Sequence, residues 1–177
     1  MSNETKLAET RPITIKKITL WRGEIDANPS SLAKTLQPLA EAGIRLQAFM
    51  RYRHFRDEKR AVVEVCPYTE EEESRCHAVM RSAGLKVSKV PALMIESDPV
   101  PGLEYRFAQI VAEQNFHLIF CVTQTVNDTW VALMGFESDI DAEKAALTLL
   151  LMNVAVPLTH KDCDISIATE TDQASGC

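Results

Sequence analysis

The sequence lacks the features that mark membrane-spanning, secreted or polyanion-binding proteins. Its 177 residues contain no apolar run long enough to cross a bilayer, and residues 1–12 lack the apolar stretch of a signal peptide. A formal net charge of −6 gives no general attraction to nucleic acid or to anionic lipid. The five cysteines are an odd number at unrelated spacings. We therefore expect a cytoplasmic protein whose cysteines remain thiols.

Residue patterns of catalysis and of metal binding are also missing. The four histidines show no metal-ligand spacing with one another. The sequence contains no Gly-x-Ser-x-Gly nucleophile motif, no Walker loop and no dinucleotide-binding glycine pattern. The sequence thus predicts a protein that is not an enzyme and that requires no cofactor and no metal.

One pattern of residues occurs twice, at a displacement of 72 positions. Several residues of the first copy recur in the same order, with identical or similar chemistry, in the second copy. They are Glu24, Asp26, Pro29, Leu39, Ala40, Glu41 and Leu46, which correspond to Glu96, Asp98, Pro101, Val111, Ala112, Glu113 and Leu118. Units of about 70 residues lie near the lower limit for independent folding, so we expect the copies to pack against each other. A site at the seam between copies is typical of such repeats.

Each copy predicts the order strand, helix, strand, strand, helix, strand. Copy one has strands at 18–25, 44–55, 61–65 and 85–90, with helices beginning near residues 29 and 70. Copy two has strands at 92–97, 116–125, 129–136 and 154–158, with helices at 101–114 and 139–152. The helix ends agree between copies, because Gly43 and Gly84 are replaced by Asn115 and Asn153, and both residue types tolerate the left-handed conformation.

This βαββαβ order predicts an α+β fold of two ferredoxin-like units in tandem. With right-handed crossovers, each unit forms a four-stranded antiparallel sheet with two helices on one face. We assign residues 13–90 to the first unit and 91–160 to the second, between tails at 1–12 and 161–177. Edge strands and an open sheet face, which a unit of this size cannot cover alone, predict a homo-oligomer, at least a dimer.

Two segments carry a resemblance to a known family. Asp26–Leu46 and Asp98–Leu118 resemble the signature D-x-P-G-x-L … G-I-N-I of the ACT domain, so the chain resembles a tandem ACT protein. The resemblance implies regulation: an amino acid or similar small metabolite would bind where two ACT units meet, against the loop between the first strand and the first helix. The bound ligand would then control a metabolic enzyme or a transcription regulator.

The candidate ligand-binding residues lie in the two equivalent loops. They are Asp98, Pro101, Gly102 and Leu103 in copy two, and Asp26, Asn28, Ser30 and Ser31 in copy one. A helix N-terminus suits a carboxylate, and Gly102 would let the backbone approach it closely. Structural explanations stay open, since Gly102 could simply permit a turn, the aspartates could form turns, and the serines could cap a helix.

Two other functions share this chain order. An RNA-binding module would use Phe49, Tyr52 and Phe55 as stacking surfaces among arginines, but the strand at 60–65 supplies no aromatic residue. A ligand-free interaction module would use its sheets only to assemble with a partner. Ser30, which stands at the glycine position of the signature, favours this second alternative, whereas Gly102 opposes it.

Overall fold

The computed structural model describes residues 13–68 and 70–151, which form two four-stranded antiparallel sheets and four helices. The α+β class predicted from the sequence is confirmed. The elements follow in chain order as β1 Thr14–Ile18, β2 Trp21–Asp26, α1 Pro29–Glu41, β3 Leu46–His54, β4 Asp57–Pro67, α2 Glu70–Ser82, β5 Lys86–Val87, β6 Ala92–Ser97, α3 Leu103–Glu113, β7 Leu118–Val126, β8 Thr129–Phe136 and α4 Asp139–Leu151. No helix of these residues is long and apolar enough to cross a membrane.

The first sheet has the strand order β3-β4-β2-β5 and is covered on one face by α1 and α2. Trp21, Val63 and Val65 point from the sheet into this core, where Leu39 and Met80 of the helices meet them. Since neighbouring residues of a strand point to opposite faces, Val62, Glu64 and Cys66 of β4 lie on the helix-free face. The fourth strand of copy one was predicted at 85–90, but the observed strand β5 comprises only two residues.

The second sheet has the strand order β1-β6-β8-β7 and carries α3 and α4 on one face. Its core joins apolar side chains of β6 and β8 to those of the two helices. Among them are Ile95, Leu103, Phe107, Trp130 and Phe136. The turn between β7 and β8 places Asn127 and Asp128 at φ of 48° and 56°. This tight turn accounts for the predicted hairpin, because asparagine and aspartate tolerate positive φ.

The placement of β1 corrects the sequence interpretation. The strand predicted at 18–25 to open copy one corresponds to β2, whereas β1 precedes it, was not predicted, and lies in the other sheet. β1 pairs antiparallel with β6, from Thr14↔Glu96 to Ile18↔Ala92. The physical reason is burial, because Ile13 and Ile15 pack against the core of copy two. β1 thus takes the edge where a strand at 154–158 was predicted, a segment outside the described residues.

The boundaries proposed for the two units stay predictions, except that residues 14–18 lie in the other sheet. Residues 14–18 were assigned to the first unit, 13–90, and they lie in the sheet of the second, 91–160. The sheet of copy one begins only at Trp21. The chain therefore passes from the second sheet to the first at Thr19 and Leu20, and back again between β5 and β6.

The helix-free faces of the two sheets contribute to a third apolar cluster, and the expectation that the copies pack together is confirmed. Leu20, Cys66 and Ala92 form the buried centre of this cluster, with partly buried side chains from both sheets around them: Ile18, Ala48, Met50 and Phe120. The RNA-binding alternative needs an open sheet face. Here the helix-free side chains of β4 are at most 2% exposed, at Val62, Glu64 and Cys66. The central strand therefore offers no stacking surface to a base.

Candidate functional site

A pocket of about 450 Å³ lies in copy two between α3 and β7, on the helix-bearing side of the sheet. Its apolar walls are formed chiefly by Phe107, Val111, Phe116, Leu118 and Met134. A few polar side chains stand among them, namely Glu104, Asn115, Cys121 and Thr123. An apolar cavity with few polar groups is the usual form of a small-molecule site.

Two of the polar side chains at this pocket can be described further, one by its hydrogen bond and the other by its protonation. The carboxylate of Glu104 accepts a hydrogen bond from Nε1 of the buried Trp130, at 2.9 Å, which fixes its position at the first turn of α3. Partial burial raises the pKa of the Cys121 thiol, so this cysteine stays protonated at neutral pH. The pocket therefore presents one carboxylate and one neutral thiol to a ligand.

The predicted loop of copy two leads into this pocket without lining it. Gly102 is the N-cap of α3 and has φ of 81°, which gives a conformational reason for glycine at this position. Leu103 is fully buried in the core of copy two, so its side chain is not available to a ligand. Asp98 and Pro101 precede the helix and are not among the lining residues. The first lining residue is Glu104, one position beyond the predicted set.

The predicted loop of copy one is occupied with its own hydrogen bonds. Oδ1 of Asn28 accepts from the backbone N–H of Ser31 and from the hydroxyls of Ser30 and Ser31, each at 2.9 Å. Asp26 pairs with Nη1 of Arg60 at 2.9 Å. Asn28, and neither serine, is therefore the N-cap of α1, and Asp26 forms a surface ion pair.

A buried ion pair on the first sheet was not anticipated from the sequence. Nη1 of Arg22 donates to Oε1 of Glu64 at 3.1 Å and to the hydroxyl of Tyr52 at 3.3 Å. The Glu64 side chain is 0% exposed, and its Oε2 has no hydrogen-bond partner among the described residues. Burial raises the pKa of Glu64 above its ordinary value, against the opposing effect of Arg22. The signal in the sequence was a charged residue within the apolar run of β4.

The described residues include no group of three or more His, Cys, Asp or Glu side chains that could hold a metal ion. The candidate binding site of copy two is the α3–β7 pocket, in which a hydrogen bond from Trp130 fixes the carboxylate of Glu104. Copy one offers the buried ion pair, and its Arg22 lines a second cavity.

No protein-family model matches the chain, and no curated protein matches it significantly. Several solved structures are similar to the chain. A protein of Bacteroides thetaiotaomicron is similar with a TM-score of 0.64 at 10% identity, over 78% of this chain and 90% of that one. The regulatory subunit of aspartate kinase from Thermus flavus is similar with a TM-score of 0.54 at 16% identity, over 81% and 97%. Aspartate kinase from Synechocystis gives 0.54 at 18% identity, over 90% and 29%.

At these identities the likeness shows the fold. The chain has a fold of two ferredoxin-like units in tandem, and it covers 97% of the regulatory subunit from Thermus flavus.

Proposed function

We propose that the protein is a non-catalytic regulatory module of the cytoplasm, which binds an amino acid or similar small metabolite in the α3–β7 pocket. Ligand occupancy would control a partner enzyme or a transcription regulator. The observation that carries the proposal is the pocket itself, an apolar cavity beside the start of α3. The likeness to the regulatory subunit of aspartate kinase from Thermus flavus supports a regulatory function.

The polar groups at the pocket match the two charged ends of an amino acid. The Glu104 carboxylate, held by Trp130, is a partner for a ligand ammonium. The pocket begins at Glu104 in the first turn of α3, where the positive end of the helix dipole favours a ligand carboxylate. The walls formed by Phe107 and Val111 suit an apolar side chain. The proposal therefore favours amino acids with apolar side chains over charged ones.

A second copy of the chain would complete the site. β7 is an edge strand of its sheet, and it carries three apolar side chains that are about half exposed: Ile119 at 48%, Val122 at 45% and Val126 at 50%. An exposed apolar edge strand is a template for pairing with another strand. We therefore propose a homo-oligomer that closes the pocket across β7, and light scattering at micromolar concentration measures its mass.

A thermal-shift screen against the twenty amino acids tests ligand binding. A ligand at about 100 times its dissociation constant should stabilise the protein by about 2.7 kcal/mol. Ala112→Leu fills the pocket and should abolish the shift. Ala40→Leu is the matched control, because Ala40 is the equivalent exposed position of α1 in copy one. Equal shifts in both variants would show that the ligand binds elsewhere.

The ligand-free interaction module is the second candidate. The observation that favours it is the loop of copy one, where Asn28 uses both serine hydroxyls for capping and leaves neither for a ligand. If no amino acid raises the melting temperature of the wild-type chain, while mass measurements still show an assembly, this candidate replaces the regulatory ligand site.

A further inference from the structure

A second cavity of about 580 Å³ lies at the junction of the two copies, bordered by β2, β5 and the segment that leads to β6. Three cationic side chains, Arg22, Lys86 and Lys89, line it, together with Ser88. Glu24 is the one acidic residue on its wall among the lining residues that the structure describes. This cavity has no residue in common with the α3–β7 pocket.

The strand register brings two of these cations directly together. Arg22 pairs with Glu64 of β4 on one side and with Lys86 of β5 on the other. Side chains directly opposite each other in an antiparallel ladder share one face of the sheet, with Cβ atoms about 5 Å apart. This row therefore sets two positive charges against one carboxylate. Like charges in directly opposed positions are destabilising unless an anion lies between them.

Neither Lys86 nor Lys89 makes an ion pair with any described residue, although the chain is acidic overall. Lysines elsewhere do find partners, since Lys17 lies 2.9 Å from Asp139 and 3.6 Å from Glu143. The junction cavity thus holds a local excess of positive charge in a protein of net charge −6.

Arg22 is held in place from within the sheet. Its Nη1 donates to the fully buried Glu64 and to Tyr52, while its Nη2 and Nε make no hydrogen bond to the described residues. A guanidinium fixed by a carboxylate behind it keeps its remaining N–H groups in a geometry that matches a phosphate or carboxylate. The Arg22 side chain is 34% exposed and lines the cavity.

We propose that the junction cavity binds a small dianion, a phosphate group or a dicarboxylate, through Arg22, Lys86 and Lys89. The ligand relieves the repulsion between Arg22 and Lys86 and adds charge-assisted hydrogen bonds. Lys89 belongs to the segment that connects β5 to β6, so the dianion touches both the sheet of copy one and the connection to copy two.

Calorimetric titration with inorganic phosphate and, separately, with succinate at fixed ionic strength tests the proposal. We expect saturable binding of at least one of them by the wild-type chain. Phosphate alone would indicate a phosphorylated ligand, and succinate alone a dicarboxylate. Lys86→Gln/Lys89→Gln should weaken that binding about tenfold or more, since each lysine supplies a charge-assisted contact.

The matched control is Lys34→Gln/Lys59→Gln, which removes the same charge from exposed lysines outside the cavity. It should leave the affinity within about a factor of two, because exposed charges at a distance are screened by salt. Equal weakening by both double variants would overturn the proposal, since it would show general charge attraction. Absence of saturable binding of both anions, or wild-type affinity in Lys86→Gln/Lys89→Gln, would overturn it as well.

Discussion

Arg22→Met should destabilise the protein far more than Glu64→Gln, although both changes break the same ion pair. The reason is unequal burial, because the Glu64 side chain is 0% exposed and the Arg22 side chain is 34% exposed. Removing Arg22 leaves a carboxylate in the sheet interior without a cation, at a cost of about 3–5 kcal/mol. Neutralising Glu64 leaves an arginine that still reaches water and Tyr52, at a cost of about 1 kcal/mol.

The loss in Arg22→Met should also depend on pH. Burial raises the pKa of Glu64 above its ordinary value of 4.5, so the folded state holds this proton more tightly than the unfolded state. Stability from this group therefore falls as pH rises from the unfolded pKa to the folded one. Without Arg22 to oppose burial, the folded pKa rises further. The destabilisation by Arg22→Met should accordingly be smaller at mildly acidic pH than at neutral pH.

Urea unfolding followed by tryptophan fluorescence measures both effects, since the buried Trp21 precedes Arg22 in β2. The double variant Arg22→Met/Glu64→Leu is the control, because an apolar pair should recover most of the loss. If Glu64→Gln costs as much as Arg22→Met, or if the loss in Arg22→Met is the same at both pH values, the argument from unequal burial is refuted.

Three further predictions follow from the packing. Removing residues 1–18 takes β1 from the edge of β6, so hydrogen exchange at Ala92–Ser97 should become faster while β4 stays protected. Gly135→Ala places a Cβ against the ring of Phe120, and urea unfolding should show a loss of about 1–3 kcal/mol. Gly102→Asn should lower the melting temperature less than Gly102→Val, because asparagine tolerates the φ of 81° whereas a β-branched residue does not.

Most of the local structure could be predicted from the sequence, because it follows from local patterns. β6 and β8 have the predicted bounds, since their apolar runs end at turn residues on either side. The helix ends at Gly43, Gly84 and Asn115 have φ of 67°, 78° and 53°, as the exchange of glycine and asparagine indicated. The fourth such residue, Asn153, lies outside the described residues.

The partner of β1 could not be predicted in the same way. Alternation in a strand shows which side chains are buried, but it does not show which of two sheet edges the strand joins. Copies with similar strands offer similar edges, and the choice depends on how Ile13 and Ile15 fit the core of copy two. The repeat gave no signal for β1, because residues 14–18 precede the strand predicted at 18–25 and were assigned with the rest of 13–90 to copy one.

The α3–β7 pocket and the burial of Glu64 also could not be predicted from the sequence. The pocket depends on the distance between a helix and an edge strand, which no residue pattern specifies. The loop chosen from the ACT signature lies next to the pocket because Gly102 begins α3, whose first turn carries Glu104. A glutamate within a strand does not by itself show which face it occupies, and Glu64 is buried on the face where the two sheets contribute to a common cluster.

β1 precedes copy one in the chain but pairs with β6 in the sheet of copy two. This pairing makes the two copies mechanically dependent on each other. The chain crosses between the sheets twice, at Thr19–Leu20 and between β5 and β6, and the buried Leu20 lies in the cluster shared by both sheets. A displacement of one copy must therefore shift both crossings or open β1 from β6. Packed interfaces resist continuous deformation. A displacement of one copy is therefore transmitted to the other copy. The junction cavity lies against one of these crossings, where a bound anion would bear directly on that coupling.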